Sequence, residues 1–132
     1  MNVKKITAVL LVEEVEPCVR FWTERLGFEK TAEVPDGDQI AFAMLQKGAA
    51  EIMYQTYASV EKDHPHPDTL ARKGPTFLYI EVDDLAATIA ATAGAEVVMA
   101  ERTTVYGSKE FGIKDPAGHF LTFAEFPVEP RP

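Results

Sequence analysis

One short pattern occurs twice in this 132-residue chain, and it limits the possible folds more than any other feature. Val12-Glu13-Glu14-Val15 returns as Val82-Asp83-Asp84-Leu85, 70 positions later. Each copy ends an apolar, strand-like run, KITAVLLV over residues 5–12 and TFLYIEV over residues 76–82. Each also opens a stretch with helical signals that stops at a glycine, Gly27 or Gly94. Gly27-Phe28-Glu29 then answers Gly94-Ala95-Glu96 after a helix three residues shorter. The arrangement reads as an internal duplication of a βαβββ unit. Repeat one covers about residues 5–57, a linker about 58–75, and repeat two about 76–126, all within a single domain over 1–132.

The rest of each repeat follows from local chemistry. Over residues 14–26, Val15, Val19, Trp22 and Leu26 are spaced by four, three and four, which predicts an amphipathic helix. Pro17 fits its first turn, and Glu13, Glu14 and Glu16 lie where the helix dipole favours negative charge. Strands are predicted over 28–34, 40–46 and 51–57, separated by Pro35-Asp36-Gly37-Asp38 and Lys47-Gly48. Residues 59–75 contain Pro65, Pro67, Gly74 and Pro75, so they read as a surface linker without a regular strand. Repeat two continues with a helix over 85–93 and strands over 96–102, 110–114 and 119–126. Asp115-Pro116-Ala117-Gly118 has the residue order of a type I turn, which sets the register of the last hairpin. In its second arm Phe120, Thr122, Ala124 and Phe126 share one face, and Leu121, Phe123 and Glu125 the other. Both faces are largely apolar, so this strand is expected to be covered on both sides.

Composition narrows the function classes. A 46% hydrophobic content supports a core, and the single cysteine, Cys18, excludes an internal disulfide. With no N-terminal apolar run of signal or membrane-span length, a cytoplasmic location is expected. A formal net charge of -8 disfavours nucleic-acid phosphates and anionic membrane surfaces as partners and suits a cationic small molecule. His64-Pro65-His66 reads as a solvated loop, His119 as a structural histidine and Cys18 as a small buried hydrophobe. No Ser/His/Asp constellation, phosphate-cradling glycine loop or basic patch is present, so no catalytic residue is assigned.

With RFWTERLGFE after the first strand, YIEVDDL opening the second repeat and KEFGIKDPAGHFLTFAEF closing it, residues 5–126 resemble the vicinal oxygen chelate superfamily. That group includes glyoxalases, extradiol dioxygenases, fosfomycin-resistance enzymes and bleomycin-resistance proteins. The resemblance implies an α+β fold in which two βαβββ units form curved mixed sheets around a concave cavity. It also implies a homodimer, as in many members. In metal-dependent members, His, Glu or Gln ligands project from the first and last strands of each unit. By spacing, those positions fall on Thr7, Phe77, Thr122 and Ile52, or on Glu51 after a one-residue slip. Phenylalanine and isoleucine offer no lone pair, so neither a metal nor another cofactor is expected.

Strand parity places Thr7, Val9, Ile52, Tyr54, Phe77, Tyr79, Phe120 and Thr122 on the concave wall, with Tyr106 in a nearby loop. Such a wall suits a flat or apolar organic ligand held by stacking and a few hydroxyl groups. The expected function is metal-independent small-molecule binding, similar to that of bleomycin-resistance proteins, with an aromatic or cationic ligand sequestered in the cavity. The alternatives are a lyase, isomerase or dioxygenase-like enzyme of the same superfamily, or a subunit whose concave surface binds another protein.

Overall fold

A computed structural model describes residues 1–2, 4–63, 75–105 and 107–127. Most of the 58–75 linker, including His64-Pro65-His66, lies outside the described residues, as does Tyr106. The chain divides into two compact units, Met1–Gly74 and Pro75–Pro132.

The first unit runs β1 (Ala8–Val12), α1 (Glu16–Arg20), a π-helical turn (Phe21–Arg25), β2 (Glu29–Asp36), β3 (Gln39–Lys47), β4 (Ala50–Thr56) and α2 (Tyr57–Asp63). Its sheet has the order β1-β4-β3-β2, with β1 parallel to β4 and the other neighbours antiparallel. The second unit runs β5 (Phe77–Glu81), α3 (Leu85–Ala91), β6 (Val97–Thr103), β7 (Lys109–Lys114) and β8 (Phe120–Glu125). Its sheet order, β5-β8-β7-β6 with β5 parallel to β8, repeats the first. Two four-stranded mixed sheets with a few helices make an α+β fold, and the βαβββ duplication is visible in both strand order and direction.

α2 is a departure from the expected linker. The prolines that argued against regular structure begin only at Pro65, and YASVEKD before them has no residue that forbids a helix. The first helix also differs from its predicted stripe. Val15, Cys18 and Trp22 are fully buried, whereas Val19 and Leu26 are only half-buried. The helix widens into the π-helical turn after Arg20, and the Phe28 amide closes it on the Trp22 carbonyl at 3.0 Å. Gly27, with φ of 73°, makes that exit possible, and the Lys47 Nζ caps the Leu26 carbonyl at 2.8 Å.

Each sheet packs one face against its helix, and in the second sheet Glu110 and Ala124 on the other face are buried as well. In the first unit Leu10, Val12, Ala41, Ala43, Leu45, Ile52 and Tyr54 are buried with the helix residues Val15, Cys18 and Trp22. The Trp22 Nε1 donates to the Tyr54 hydroxyl at 2.7 Å, and Phe28 packs edge-on against Trp22 with ring centroids 4.8 Å apart. In the second unit Phe111, Ile113, Leu121 and Phe123 are buried, and α3 contributes Leu85. Asp84 caps α3 by accepting from the Ala87 amide at 3.0 Å.

The last hairpin closes as its sequence predicts. The Gly118 amide bonds the Asp115 carbonyl at 3.0 Å, and the Asp115 carboxylate accepts from the Ala117 and His119 amides. His119 is structural, because its Nδ1 accepts from the Thr76 amide at 2.8 Å and ties the start of β8 to that of β5. β8 is covered on one face and partly on the other, where Ala124 is buried and Phe120 and Thr122 are half-buried.

Candidate functional site

The face left open on each sheet carries the candidate chemistry. In the first unit strand register places Thr7 and Val9 beside Glu51 and Met53 of β4, which in turn face Gln46 and Met44 of β3. Thr7 Oγ1 donates to Glu51 Oε1 at 2.9 Å, and Lys5 Nζ reaches the same oxygen at 2.8 Å. The Lys5 ammonium, then the Thr7 hydroxyl, hold the Glu51 carboxyl below the usual glutamate range. Glu51 is thereby kept ionised, yet its side chain is only 5% exposed while that of Lys5 is 58% exposed.

In the second unit Phe77 pairs with Phe120, and Tyr79 with Thr122. The Phe77 and Phe120 rings stack with centroids 4.7 Å apart and an interplanar angle of 21°. Phe77 is 73% exposed and Tyr79 57% exposed. The Tyr79 hydroxyl donates to Glu110 Oε2 at 2.6 Å, while Arg102 donates to Glu110 Oε1 from Nε at 3.2 Å and from Nη2 at 2.9 Å. The Tyr79 hydrogen bond and then the Arg102 guanidinium draw the Glu110 carboxyl below its ordinary range. Gly112, beside Thr122, leaves room for Met99, whose Cβ would lie 3.1 Å from a Cβ added at Gly112.

Thr7, Val9, Phe77, Tyr79, Phe120 and Thr122 therefore lie on open faces. Ile52 and Tyr54 do not, which corrects their assignment to a ligand-facing wall. Both belong to the buried face of β4, where Tyr54 is wholly enclosed and bonded to Trp22. With apolar residues on both faces of β4, alternation alone did not say which set meets the helix. The register also shows which first-unit residue corresponds to Thr122. Thr122 pairs with Tyr79, two residues beyond Phe77, and the matching partner of Val9, two beyond Thr7, is Met53.

Sequence reasoning missed Lys5, Met53, Arg102 and Glu110. Glu110 was within reach of it, because counting equal distances back from the Asp115–Gly118 turn puts Glu110 opposite Ala124, as observed. Arg102 lies opposite Glu110 only because β6 is irregular between Met99 and Arg102, which no spacing rule signals.

A sequence profile of the Glyoxalase/Bleomycin resistance protein/Dioxygenase superfamily matches residues 5–123. The chain belongs to that superfamily. Solved structures agree with it in fold. TioX from Micromonospora sp. ML1 aligns with a TM-score of 0.74 at 18% identity, over 95% of this chain and 100% of the other. A glyoxalase/bleomycin resistance protein/dioxygenase from Nocardioides gives 0.74 at 16% identity, over 100% and 89%. Lactoylglutathione lyase from Agrobacterium tumefaciens gives 0.71 at 16% identity, over 94% and 95%. No curated protein matches the chain at a significant level.

The divalent metal used by some superfamily members does not fit the residues here. The corresponding positions are Thr7, Met53, Phe77 and Thr122, which provide two neutral hydroxyls, a thioether and a hydrocarbon ring. Glu51 lies next to them, but its carboxylate is already paired with Lys5 and Thr7. A divalent cation would surrender water ligands here without equivalent replacements. Among the described residues no group of three or more His, Cys, Asp or Glu could hold a metal ion.

Proposed function

We propose that this superfamily member is a metal-independent binding protein that sequesters an aromatic organic ligand, in the manner of a bleomycin-resistance protein. The observation that carries the reading is the Phe77–Phe120 stack, an exposed aromatic platform standing where a metal-dependent relative would place a donor. An exposed ring of this size contributes most when another flat apolar surface covers it. The methionine pair Met44–Met53 supports the same reading in the first unit, since thioether side chains adapt to irregular apolar partners. The proposal includes a cytoplasmic location and a homodimer, the latter supported by exposed Ile6 and Val9 in the first unit.

Native mass spectrometry of freshly purified protein, with elemental analysis and melting curves in chelator, tests the proposal. An organic molecule is expected to co-purify, with no stoichiometric metal and no change in melting temperature. Retention of about one equivalent of zinc, iron, nickel or manganese, with a chelator-induced drop in melting temperature, would overturn it. The lyase or dioxygenase-like reading would then lead, with Glu51 the first residue to replace. Analytical ultracentrifugation reads the oligomeric state separately.

A further inference from the structure

We infer that the open face of the second sheet selects a planar aromatic anion, taking its acidic group on Arg102 and its ring on Phe77 and Tyr79. This deepens the binding reading above and rests on it. The decisive feature is an asymmetry of exposure within the Arg102–Glu110 pair. The Arg102 side chain is 60% exposed and that of Glu110 only 9% exposed. At long range the two charges cancel, but a ligand arriving at contact meets the guanidinium and little of the carboxylate.

The donors are available. Glu110 engages Arg102 through Nε and Nη2, both on Oε1, and among the described residues the Arg102 side chain makes no other hydrogen bond or ion pair. Nη1 and the outer hydrogen of Nη2 remain for an acceptor, and a planar fork suits an oxyanion. Glu110 acts as a positioning residue: its second oxygen is held by Tyr79, so one carboxylate holds the guanidinium on one oxygen and the phenol hydroxyl on the other. Aromatic surface and cation are thus adjacent, and Tyr79 lies in line with Phe77 on the same face of β5. Lys114 Nζ lies 5.8 Å from the Phe120 ring centroid at the far end of this face, but it is paired with the more exposed Glu96 at 3.3 Å, so Arg102 is the cation that serves the site.

The first unit repeats the asymmetry with Lys5 outward and Glu51 inward. The net charge of -8, taken alone, predicts the opposite preference. Distant acidic groups are screened over about 8 Å at physiological salt, whereas a contact with Arg102 is not, so the local cation decides the sign.

Isothermal titration with naphthoate, naphthalenemethanol and naphthylmethylammonium tests the inference on the full chain. Naphthoate is expected to bind about tenfold or more tighter than the ammonium, with the alcohol between them. The double variant Arg102→Gln/Glu110→Gln replaces the ion pair by two amides, leaving no buried charge unpaired. It should lose the preference, so that naphthoate no longer binds more than about twofold tighter than the ammonium. In the unaltered protein, naphthoate should also shift the Arg102 Nε–H resonance, a readout that needs no variant.

Equal or tighter binding of the ammonium, with the alcohol still bound, would overturn the anion inference and leave the binding reading standing. Persistence of naphthoate selectivity in the double variant, or an unmoved Arg102 resonance, would also overturn it. If none of the three probes binds, the aromatic-ligand reading falls with it.

Discussion

The two units share strand order, strand direction and a helix after the first strand, and differ in nearly everything those elements carry. On the covered side the first unit relies on one large residue, Trp22, bonded to Tyr54, whereas the helix of the second is alanine-rich and fully buries only Leu85. On the open side the first is built from Val9, Met44 and Met53, the second from Phe77, Tyr79 and the Glu110 network. One pair of positions shows how the same space is filled differently. Met44 on β3 faces Ala32 on β2, while Gly112 on β7 faces Met99 on β6, so the methionine has changed strands. Topology survives because it depends on turns, strand pairing and one buried face. The open face is free to diverge, and divergence there changes what a surface can recognise.

The strongest test of this contrast sets a covered aromatic against an open one. Trp22→Ala should cost about 3–5 kcal/mol, as loss of a fully buried aromatic does. Phe77→Ala, on the open face, should stay within about 1 kcal/mol while weakening ligand binding. Urea denaturation reads both, and equal costs would erase the distinction between faces.

Next in size, Tyr54→Phe removes the acceptor of the Trp22 Nε1 in a closed site and should cost about 1–3 kcal/mol. A loss below about 0.5 kcal/mol would mean that Trp22 finds another partner.

The strand exchange of methionine gives a smaller effect. Gly112→Ala sets a new Cβ 3.1 Å from that of Met99 and should cost about 1 kcal/mol. Adding Met99→Ala should remove the steric part of that cost. If the double variant is no better than the sum of the singles, Met99 is not the neighbour that Gly112 accommodates.

The smallest effect lies in acid. Glu51 and Glu110 have folded-state values below the unfolded value of about 4.3, so the stability they contribute is present above that pH and lost as pH falls through the lower folded values. Tyr79→Phe removes the chief cause at Glu110 and should raise its folded-state value toward the unfolded one, so that less stability is lost in acid. Thr7→Val should move Glu51 less, because Lys5 is its main support. Carboxyl NMR titrations compare the two, and a larger shift for Thr7→Val would reverse the ranking.

What the sequence determined by itself was the duplicated topology and the closing turn. These follow from interactions between near neighbours: a glycine leaving a helix, Asp115 bonding amides two and four residues on, β-branched runs at a fixed offset. Strand orientation was legible where one face was clearly apolar. It was ambiguous in AEIMYQT, where Ile52 and Tyr54 alternate with Met53 and both sets can enter a core. Only the tertiary structure decided that question, because the deciding contact joins Tyr54 to Trp22 across 32 positions. The charge at the candidate site was decided in the same way. The net charge is a sum over the chain, but which member of an ion pair faces outward depends on packing, and packing buries Glu51 and Glu110 while leaving Lys5 and Arg102 at the surface.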